Sequence, residues 1–265
     1  MPYTHAINPT LLELGPFEIR FYGIVYALGF FLAYWFIKKA KKQGLLDIQE
    51  GDIDNFIIYL ALGIILGARL VHVFLWNPSY YLQNPLEILM IWKGGLAFHG
   101  GILGGMLVAY WFCKKKNLSF GRVADVLSIP AVFALALGRI ANFINGELWG
   151  TVTNVNWCVN FKGAEGCRHP SQLYAAFGRF VVLGFLLVLN QKKRKDGFIF
   201  WSMFGLLGLS RLIVDFFREN ARVIGLSLGQ WLSLAMVILT FWVYFKYYRT
   251  VEEENEESNE SEKTD

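Results

Sequence analysis

Long apolar runs separated by short polar stretches occupy most of the chain. A helix needs about 17 to 25 mainly apolar residues to cross a hydrocarbon core. The alternating pattern that is typical of a membrane β-barrel is absent from the sequence. The pattern predicts an all-α integral membrane protein with about seven transmembrane helices: Phe21–Ile37, Phe56–Leu75, Leu96–Phe112, Val123–Leu137, Leu173–Leu189, Phe198–Val214 and Leu228–Phe245.

A shorter apolar run, Leu86–Trp92, lies between Pro85 and the polar stretch Lys93–Gly95. It is too short to cross a membrane as a helix. Irregular or partial helices at membrane depth are tolerated where protein surrounds them or where they lie at the interface. We therefore expect a half-helix or an interfacial helix here.

Composition and charge support this class of protein. The 265 residues are 55% hydrophobic and 17% charged, whereas about a quarter of the residues of a soluble domain are charged. The net charge of +4 does not indicate a nucleic-acid-binding face, because the basic residues cluster beside the apolar runs. Clusters in such places set helix orientation and contact anionic lipids.

The same clusters predict the orientation. They follow the first, third, fifth and seventh runs, at Lys38–Lys42, Lys114–Lys116, Lys192–Lys195 and Lys246 with Arg249. By the positive-inside rule the amino terminus is outside and the carboxyl terminus is cytoplasmic. The predicted organisation is an external segment (1–20), a seven-helix transmembrane domain (21–250) and a disordered acidic cytoplasmic tail (251–265).

The longest predicted connection is the external loop 142–172. Its aromatic residues, among them Trp149 and Trp157, favour a small ordered cap. Cys158 and Cys167 share this loop, where an oxidising compartment permits a disulfide, and the spacing leaves both the paired and the free state open. No cysteine–histidine spacing resembles a zinc site, so no metal is expected.

Polar side chains are predicted to gather in the outer half of the membrane. A charge at the centre of a spanning helix costs about 2.5–3.5 kcal/mol on insertion scales, so such residues are functional candidates by default. The candidates are Tyr22, Arg69, His72, His99, Arg139, Asn142, Glu147, Arg211, Asp215 and Arg218.

Several of these residues also have a structural explanation. Arg218 and Arg222 can extend to lipid headgroups, and Arg69 can hold a carboxylate or a carbonyl. Arg139 can cap a helix end. Asp215 can form an ion pair one helical turn from an arginine.

Arginine and histidine at this depth indicate a definite chemistry. Guanidinium groups bind phosphate in a bidentate fork, and the natural phosphate there belongs to a phospholipid headgroup. Histidine accepts protons near neutral pH. The main alternative, a transporter for an anionic solute, predicts polar groups along a path to both faces, which the inner halves of the runs lack. An intramembrane protease would need a serine–histidine or paired-aspartate arrangement that the runs do not contain.

Six segments then carry a resemblance to one family. The stretch GRIANFINGELWG, residues 138–150, closely resembles the signature of the prolipoprotein diacylglyceryl transferases. The supporting motifs follow in the family's order: IRFYG (19–23), GARL (67–70), GGLAFHGG (94–101), RHPSQLY (168–174) and SRLIVDFFR (210–218).

The resemblance implies transfer of an sn-1,2-diacylglyceryl group from phosphatidylglycerol to the lipobox cysteine of a prolipoprotein. A thioether forms and glycerol 1-phosphate leaves. It also implies a bacterial cytoplasmic (inner) membrane protein with its active site at the external leaflet, and no cofactor. The expected partners are phosphatidylglycerol, the prolipoprotein signal peptide and membrane lipids, without nucleic acid, and a monomer is expected.

The resemblance also assigns roles to residues. The catalytic candidates are His99, Arg139, Arg211, Glu147 and Tyr22. The phosphatidylglycerol-binding candidates are Arg139, Asn142, Gly150, Arg211 and Arg69. His99 is the first candidate for the base that accepts the thiol proton, with Glu147 or Tyr22 as alternatives. Leu207 stands where the family commonly carries a tyrosine, and Asp215 where it carries a glutamate.

Overall fold

The computed structural model describes residues 2–14 and 17–249, so the predicted acidic tail lies outside the described residues. Eight α-helices occur in the described part of the chain: α1 (Phe21–Lys42), α2 (Glu50–Val71), α3 (Pro78–Gln83), α4 (Phe98–Lys116), α5 (Phe120–Ile144), α6 (Ser171–Leu189), α7 (Phe198–Val214) and α8 (Leu228–Val243). Six short strands form three pairs: β1 (Tyr3–Thr4) with β4 (Val159–Asn160), β2 (Thr10–Leu14) with β3 (Phe17–Arg20), and β5 (Arg222–Val223) with β6 (Leu226–Ser227).

Most helices extend beyond the apolar runs that predict them. For example, α1 continues through its lysines to Lys42, and α5 continues past Arg139 to Ile144. Lysine and arginine are good helix formers, so the helical hydrogen bonds continue past the end of the apolar run. Because Arg139 lies within α5, its proposed role as a helix-end cap is not what the structure shows.

The mostly helical architecture and its membrane-spanning character are confirmed. Within the described residues, six helices are long and apolar enough to cross a membrane: α1, α2 with its π-helical extension to Trp76, α5, α6, α7 with its 3₁₀ extension to Phe217, and α8 with its extension to Tyr248. The seventh predicted span corresponds to α4, which contains four glycines and ends in three lysines. That span stays a prediction.

The run at Leu86–Trp92 differs from the expected single half-helix. It forms two 3₁₀ turns, Pro85–Leu89 and Ile91–Lys93, with Met90 between them outside helical geometry. The preceding α3 starts at Pro78. Proline, which lacks an N–H, is suited to the first turn of α3 and of the 3₁₀ turn at Pro85, and Pro85 prevents α3 from continuing into that turn.

The described residues divide into two compact units. One contains residues 2–14, 17–29 and 128–249, and the other contains residues 30–127. In the second unit, α2 and α4 run antiparallel through glycine contacts: a side chain at Gly67 would collide with the carbonyl oxygen of Gly100, and one at Gly63 would press on Gly104. Small residues of this kind allow two membrane helices to approach closely.

The other end of the α2–α4 pair is held by apolar and ionic contacts. Phe56 and Phe112 are buried against each other, with ring centroids 4.7 Å apart. Lys116, at the end of α4, forms a 2.6 Å ion pair with Asp52 in the first turn of α2. The two helices are therefore in contact along their lengths.

In the first unit, α6, α7 and α8 pack side by side. A side chain at Gly178 of α6 would collide with the hydroxyl of Ser210 on α7, and one at Gly208 would lie 3.0 Å from the carbonyl oxygen of Ser233 on α8. Ser227 caps α8 and donates a 2.9 Å hydrogen bond to Asp215. This capping places Asp215, just after α7, against the first turn of α8.

Candidate functional site

Tyr22, Asn142, Glu147 and Arg139 form a connected hydrogen-bond network in the first unit. Glu147 Oε1 accepts hydrogen bonds from the Tyr22 hydroxyl at 2.6 Å and from Asn142 Nδ2 at 2.8 Å. Asn142 Nδ2 also contacts the Tyr22 hydroxyl oxygen, and Asn142 Oδ1 accepts a 3.3 Å hydrogen bond from Arg139 Nη1. The buried Asn142 therefore links a carboxylate to a guanidinium group.

The backbone after α5 turns sharply to present Glu147. Gly146 has a φ of 67°, and Leu148 has a φ of 58°, which is unusual for a residue with a side chain. The start of α6 holds this turn: Gln172 Nε2 donates to the Glu147 carbonyl at 2.6 Å, and Ser171 Oγ donates to the Leu148 carbonyl at 3.1 Å. Such strain persists only where surrounding contacts impose it, and it is frequent at functional sites.

Gly150 lies where the loop touches two other segments. A Cβ there would collide with the Phe217 carbonyl oxygen and with His169. The Gly150 N–H donates to the His169 carbonyl, and the Thr151 N–H donates to the Phe217 carbonyl, each at 2.9 Å. Glycine is needed here because the backbone at Gly150 packs directly against the backbone at Phe217 and His169. This contact fixes the loop to the end of α7.

The loop after Gly150 is cross-linked by a disulfide and by hydrogen bonds. Cys158 and Cys167 form a disulfide, which resolves the alternative that the spacing left open. Arg168 donates to the Gly150 carbonyl at 3.1 Å and forms a 2.9 Å ion pair with Glu219. Burial lowers the pKa of the neighbouring His169.

A polar cavity of about 310 Å³, counted out to the solvent at its mouth, lies beside this loop. Its walls come from α5, the loop, α6, α7 and the residues directly after α7. They are Arg139, Leu148, Ser171, Gln172, Ala175, Arg179, Arg211, Val214, Asp215 and Arg218. Four arginines and one carboxylate give the lining a formal charge of +3.

The charges in the cavity are only partly balanced. Arg218 Nη1 is 4.0 Å from the buried Asp215 carboxylate. Burial lowers the pKa of Arg218, while Asp215 acts in the opposite direction. Arg139 and Arg211 come from different helices and repel each other across the cavity. Guanidinium groups that the single carboxylate does not fully balance are suited to bind an anion such as phosphate.

Arg179 is the cavity residue that sequence reasoning missed. It lies in the middle of α6, and its Nη1 donates to the Ala175 carbonyl at 2.8 Å. The available signal was an arginine inside an apolar helix, which the cost of a buried charge marks as a functional candidate. Gln172 and Ser171, in the RHPSQLY motif, were also not assigned individually.

Arg69 belongs to the second unit, and its guanidinium group is already fully used. Its N–H groups donate to the backbone carbonyls of Glu87, Ile88, Met90, Gly94 and Gly95. The group also lies over the Tyr81 ring, 5.0 Å from its centroid. The structure therefore favours the structural alternative for Arg69, and its binding of phosphatidylglycerol remains an untested prediction.

The two histidines that the sequence singled out also lie in the second unit. His99 is exposed at the second residue of α4. His72, which follows α2, is 3.2 Å from the Asn77 amide.

The network and the cavity of the first unit bring together five of the predicted site residues: Tyr22, Arg139, Asn142, Glu147 and Arg211. Gly150 fixes the loop beside them. Within the described residues, no group of three or more histidine, cysteine, aspartate or glutamate side chains is arranged to hold a metal.

Comparisons with known proteins agree on one family. The family described as "Prolipoprotein diacylglyceryl transferase" matches residues 9–246. A phosphatidylglycerol–prolipoprotein diacylglyceryl transferase of Geobacter sulfurreducens is 41% identical over 246 residues, covering 90% of this chain and 94% of the relative. The protein of the same name from Brucella anthropi is 38% identical, covering 92% and 93%. A third, from Brucella canis, is 38% identical, covering 88% and 87%.

Proposed function

The chain belongs to the prolipoprotein diacylglyceryl transferase family, and on that premise we propose that it transfers the diacylglyceryl group of phosphatidylglycerol to the lipobox cysteine of prolipoproteins. The observation that carries the proposal at the level of chemistry is the cavity lined by four arginines and one aspartate. A phosphate diester headgroup is the anion that such a cavity, in a membrane protein, is suited to hold.

The reaction exchanges one bond to carbon for another. The cysteine sulfur attacks the glyceryl carbon that carries the phosphate, the carbon–oxygen bond to phosphate breaks, and a thioether forms. The departing oxygen takes the bonding electrons, so the phosphate changes from a diester with one negative charge to the monoester glycerol 1-phosphate with two. Arg139 and Arg211 stabilise the charge that develops, which is usually a large part of the rate enhancement.

The thiol proton must reach a base. Glu147 is a candidate because its carboxylate is held in place by Tyr22 and Asn142, close to Arg139. His99 remains the alternative base, since imidazole accepts protons near neutral pH. If a His99→Gln variant keeps the wild-type pH–rate profile, the group that accepts the thiol proton is Glu147 or water.

The two ends of α6 support the proposed orientation. Its first residue, Ser171, lies at the cavity, next to the loop that carries the disulfide. Its last residue, Leu189, precedes the basic cluster Lys192–Lys195. Disulfides persist in oxidising compartments and basic clusters remain in the cytoplasm. The proposal therefore places the cavity at the external leaflet of the bacterial inner membrane.

The proposal also includes seven spans. α4 runs antiparallel to α2 from Gly100 opposite Gly67 to Lys116 opposite Asp52. Since α2 is long and apolar enough to cross a membrane, a helix that follows it over this length crosses the same layer. We propose further that the enzyme acts as a monomer and without nucleic acid. We also propose that it uses no metal or organic cofactor, because the displacement involves no redox step and guanidinium groups meet its charge.

Transfer of radiolabelled diacylglycerol from phosphatidylglycerol to a lipobox peptide, with purified protein in vesicles, tests the proposal. We expect Arg139→Gln to reduce the rate by about 10²–10³-fold, the usual effect of removing a group that stabilises transition-state charge. Arg222→Gln is the matched control, because Arg222 is exposed on the β5–β6 hairpin and outside the cavity.

Two results would contradict the proposal: wild-type protein that transfers no label, or an Arg139→Gln variant that turns over at the wild-type rate. A protein that instead moves an anionic solute into sealed proteoliposomes would support the transporter alternative.

A further inference from the structure

Arg179 carries a charge that no described carboxylate balances. Its Nη1 is bonded only to its own helix, at Ala175, and its Nε is buried without a hydrogen-bond partner among the described residues. The other three cavity arginines all repel it electrostatically. A guanidinium group in the middle of a spanning helix, beside three like charges, is stable only if something else compensates for it.

The position of Arg179 is built into the helix packing. Gly178 of α6 is in contact with Ser210 of α7, and the next residues in the two helices are Arg179 and Arg211. The close contact between α6 and α7 therefore places the guanidinium groups of Arg179 and Arg211 in the same cavity wall. With a backbone fixed in this way, the binding geometry is present before an anion arrives, which reduces the entropic cost of binding.

We infer that Arg179 makes the cavity selective for phosphate dianions, so that it binds phosphate monoesters more tightly than the phosphodiester headgroup of its substrate. This inference rests on the proposed function for its physiological ligand, glycerol 1-phosphate. It assigns Arg179 as a binding residue for the leaving group.

Charge matching is the physical reason. The lining carries four positive charges and one negative charge, while a phosphodiester brings only one negative charge. A phosphate monoester carries a charge of about −1.5 to −2 at pH 7, because its second pKa is about 6. Arg139, Arg211 and Arg218 line the same cavity as Arg179, with Asp215 beside them, and guanidinium groups are not deprotonated in proteins.

Two consequences follow. The second negative charge appears only as the carbon–oxygen bond breaks, so Arg179 binds the late transition state better than the bound lipid. The same preference makes glycerol 1-phosphate a product inhibitor that competes with phosphatidylglycerol. Its inhibition weakens below about pH 6, where the monoester becomes a monoanion.

Direct binding tests the inference without turnover. Purified protein in phosphatidylcholine nanodiscs is titrated by calorimetry with glycerol 1-phosphate and, as the matched diester, with glycerophosphoglycerol, the deacylated headgroup of phosphatidylglycerol. The variants are Arg179→Gln, Arg179→Lys and the exposed control Arg222→Gln. Thermal unfolding of each variant shows whether it is folded.

The wild type is expected to bind the monoester more tightly at pH 7.5, and to lose most of that preference at pH 5.5. Arg179→Gln should weaken monoester binding by roughly tenfold or more, the usual value of a hydrogen bond to a charged group, and should weaken diester binding less. Arg179→Lys should restore part of the preference, and Arg222→Gln should behave as the wild type.

Equal weakening of both ligands in folded Arg179→Gln, or unchanged monoester binding, would overturn the inference. A wild type that prefers the diester would do so as well. Failure of the proposed function would give a different result, namely no transfer of diacylglycerol to a lipobox peptide. The titrations with glycerol 1-phosphate and glycerophosphoglycerol would still be interpretable in that case.

Discussion

At the residue scale, the most informative group is the network around Glu147. Sequence motifs named all four of its members, Tyr22, Arg139, Asn142 and Glu147, although Tyr22 is more than a hundred positions away from the others. The structure adds the connection between them: Asn142 receives from Arg139 and donates to Glu147. We therefore expect Asn142 to act as a positioning residue between the candidate base and the cavity.

An Asn142→Leu variant separates positioning from simple packing. Leucine fills similar space but leaves Arg139 without an acceptor and Glu147 without one of its donors. Because a hydrogen bond to a charged group contributes about 1.5–3 kcal/mol, we expect kcat to fall by roughly 10–100-fold. The measurement is the kcat and KM of transfer to a lipobox peptide.

Asn142→Asp supplies the contrast, since it retains an acceptor for Arg139 but places a second carboxylate beside Glu147. We expect its pH–rate profile to shift further than that of Asn142→Leu, which removes a hydrogen-bond donor from Glu147 but adds no charge. A leucine variant with unchanged kcat would show that the amide has no positioning role.

At the scale of elements, glycine contacts decide how closely the helices approach. Gly100 and Gly104 form a small-residue stripe on α4, and the structure pairs it with Gly63 and Gly67 of α2. Its partner was not predictable, because apolar periodicity shows that a face is buried but not which helix covers it. The 3₁₀ turns around Met90 were missed for a related reason: they are held by Arg69, which is distant in the chain.

Gly67→Ala is predicted to destabilise the protein, because the added methyl group would collide with the Gly100 carbonyl and press on the Gly104 backbone. Overpacking of this kind typically costs about 1–3 kcal/mol. The matched control is Gly184→Ala in α6, where a Cβ meets nothing within 4 Å. That variant should be neutral or more stable, by up to about 1 kcal/mol.

The free energy of unfolding of both variants is measured by denaturant titration in detergent micelles, followed by tryptophan fluorescence. If Gly67→Ala is as stable as Gly184→Ala, the two helices do not approach as closely as the glycine contacts require.

At the scale of the whole molecule, the ends of the helices decide which side of the membrane each loop faces. Within the first unit, the β5–β6 hairpin follows the cavity residues Asp215 and Arg218, whereas Lys192–Lys195 lies between the far end of α6 and the start of α7. The two segments should therefore lie on opposite sides of the bilayer.

Cysteine labelling measures this orientation. Ile224→Cys lies at an exposed hairpin turn, where Ile224 is 88% accessible, and should react with a membrane-impermeant maleimide in intact cells. Lys193→Cys, also exposed, should react only after permeabilisation. The native cysteines give little background, because Cys158 and Cys167 are disulfide-bonded and Cys113 is buried. Labelling of Lys193→Cys from outside would reverse the proposed orientation.

The sequence by itself determined the class of protein, the family and most of the candidate site. Membrane insertion depends on local apolarity, and the signature motifs are contiguous, so both can be recognised in one dimension. Only the tertiary structure decided that Arg179 joins Arg139, Arg211 and Arg218 around one cavity. It also decided that the Arg69 guanidinium group donates its hydrogen bonds to backbone carbonyls. Electrostatic energy depends on distances through space, and residues far apart in the chain acquire those distances only when helices pack.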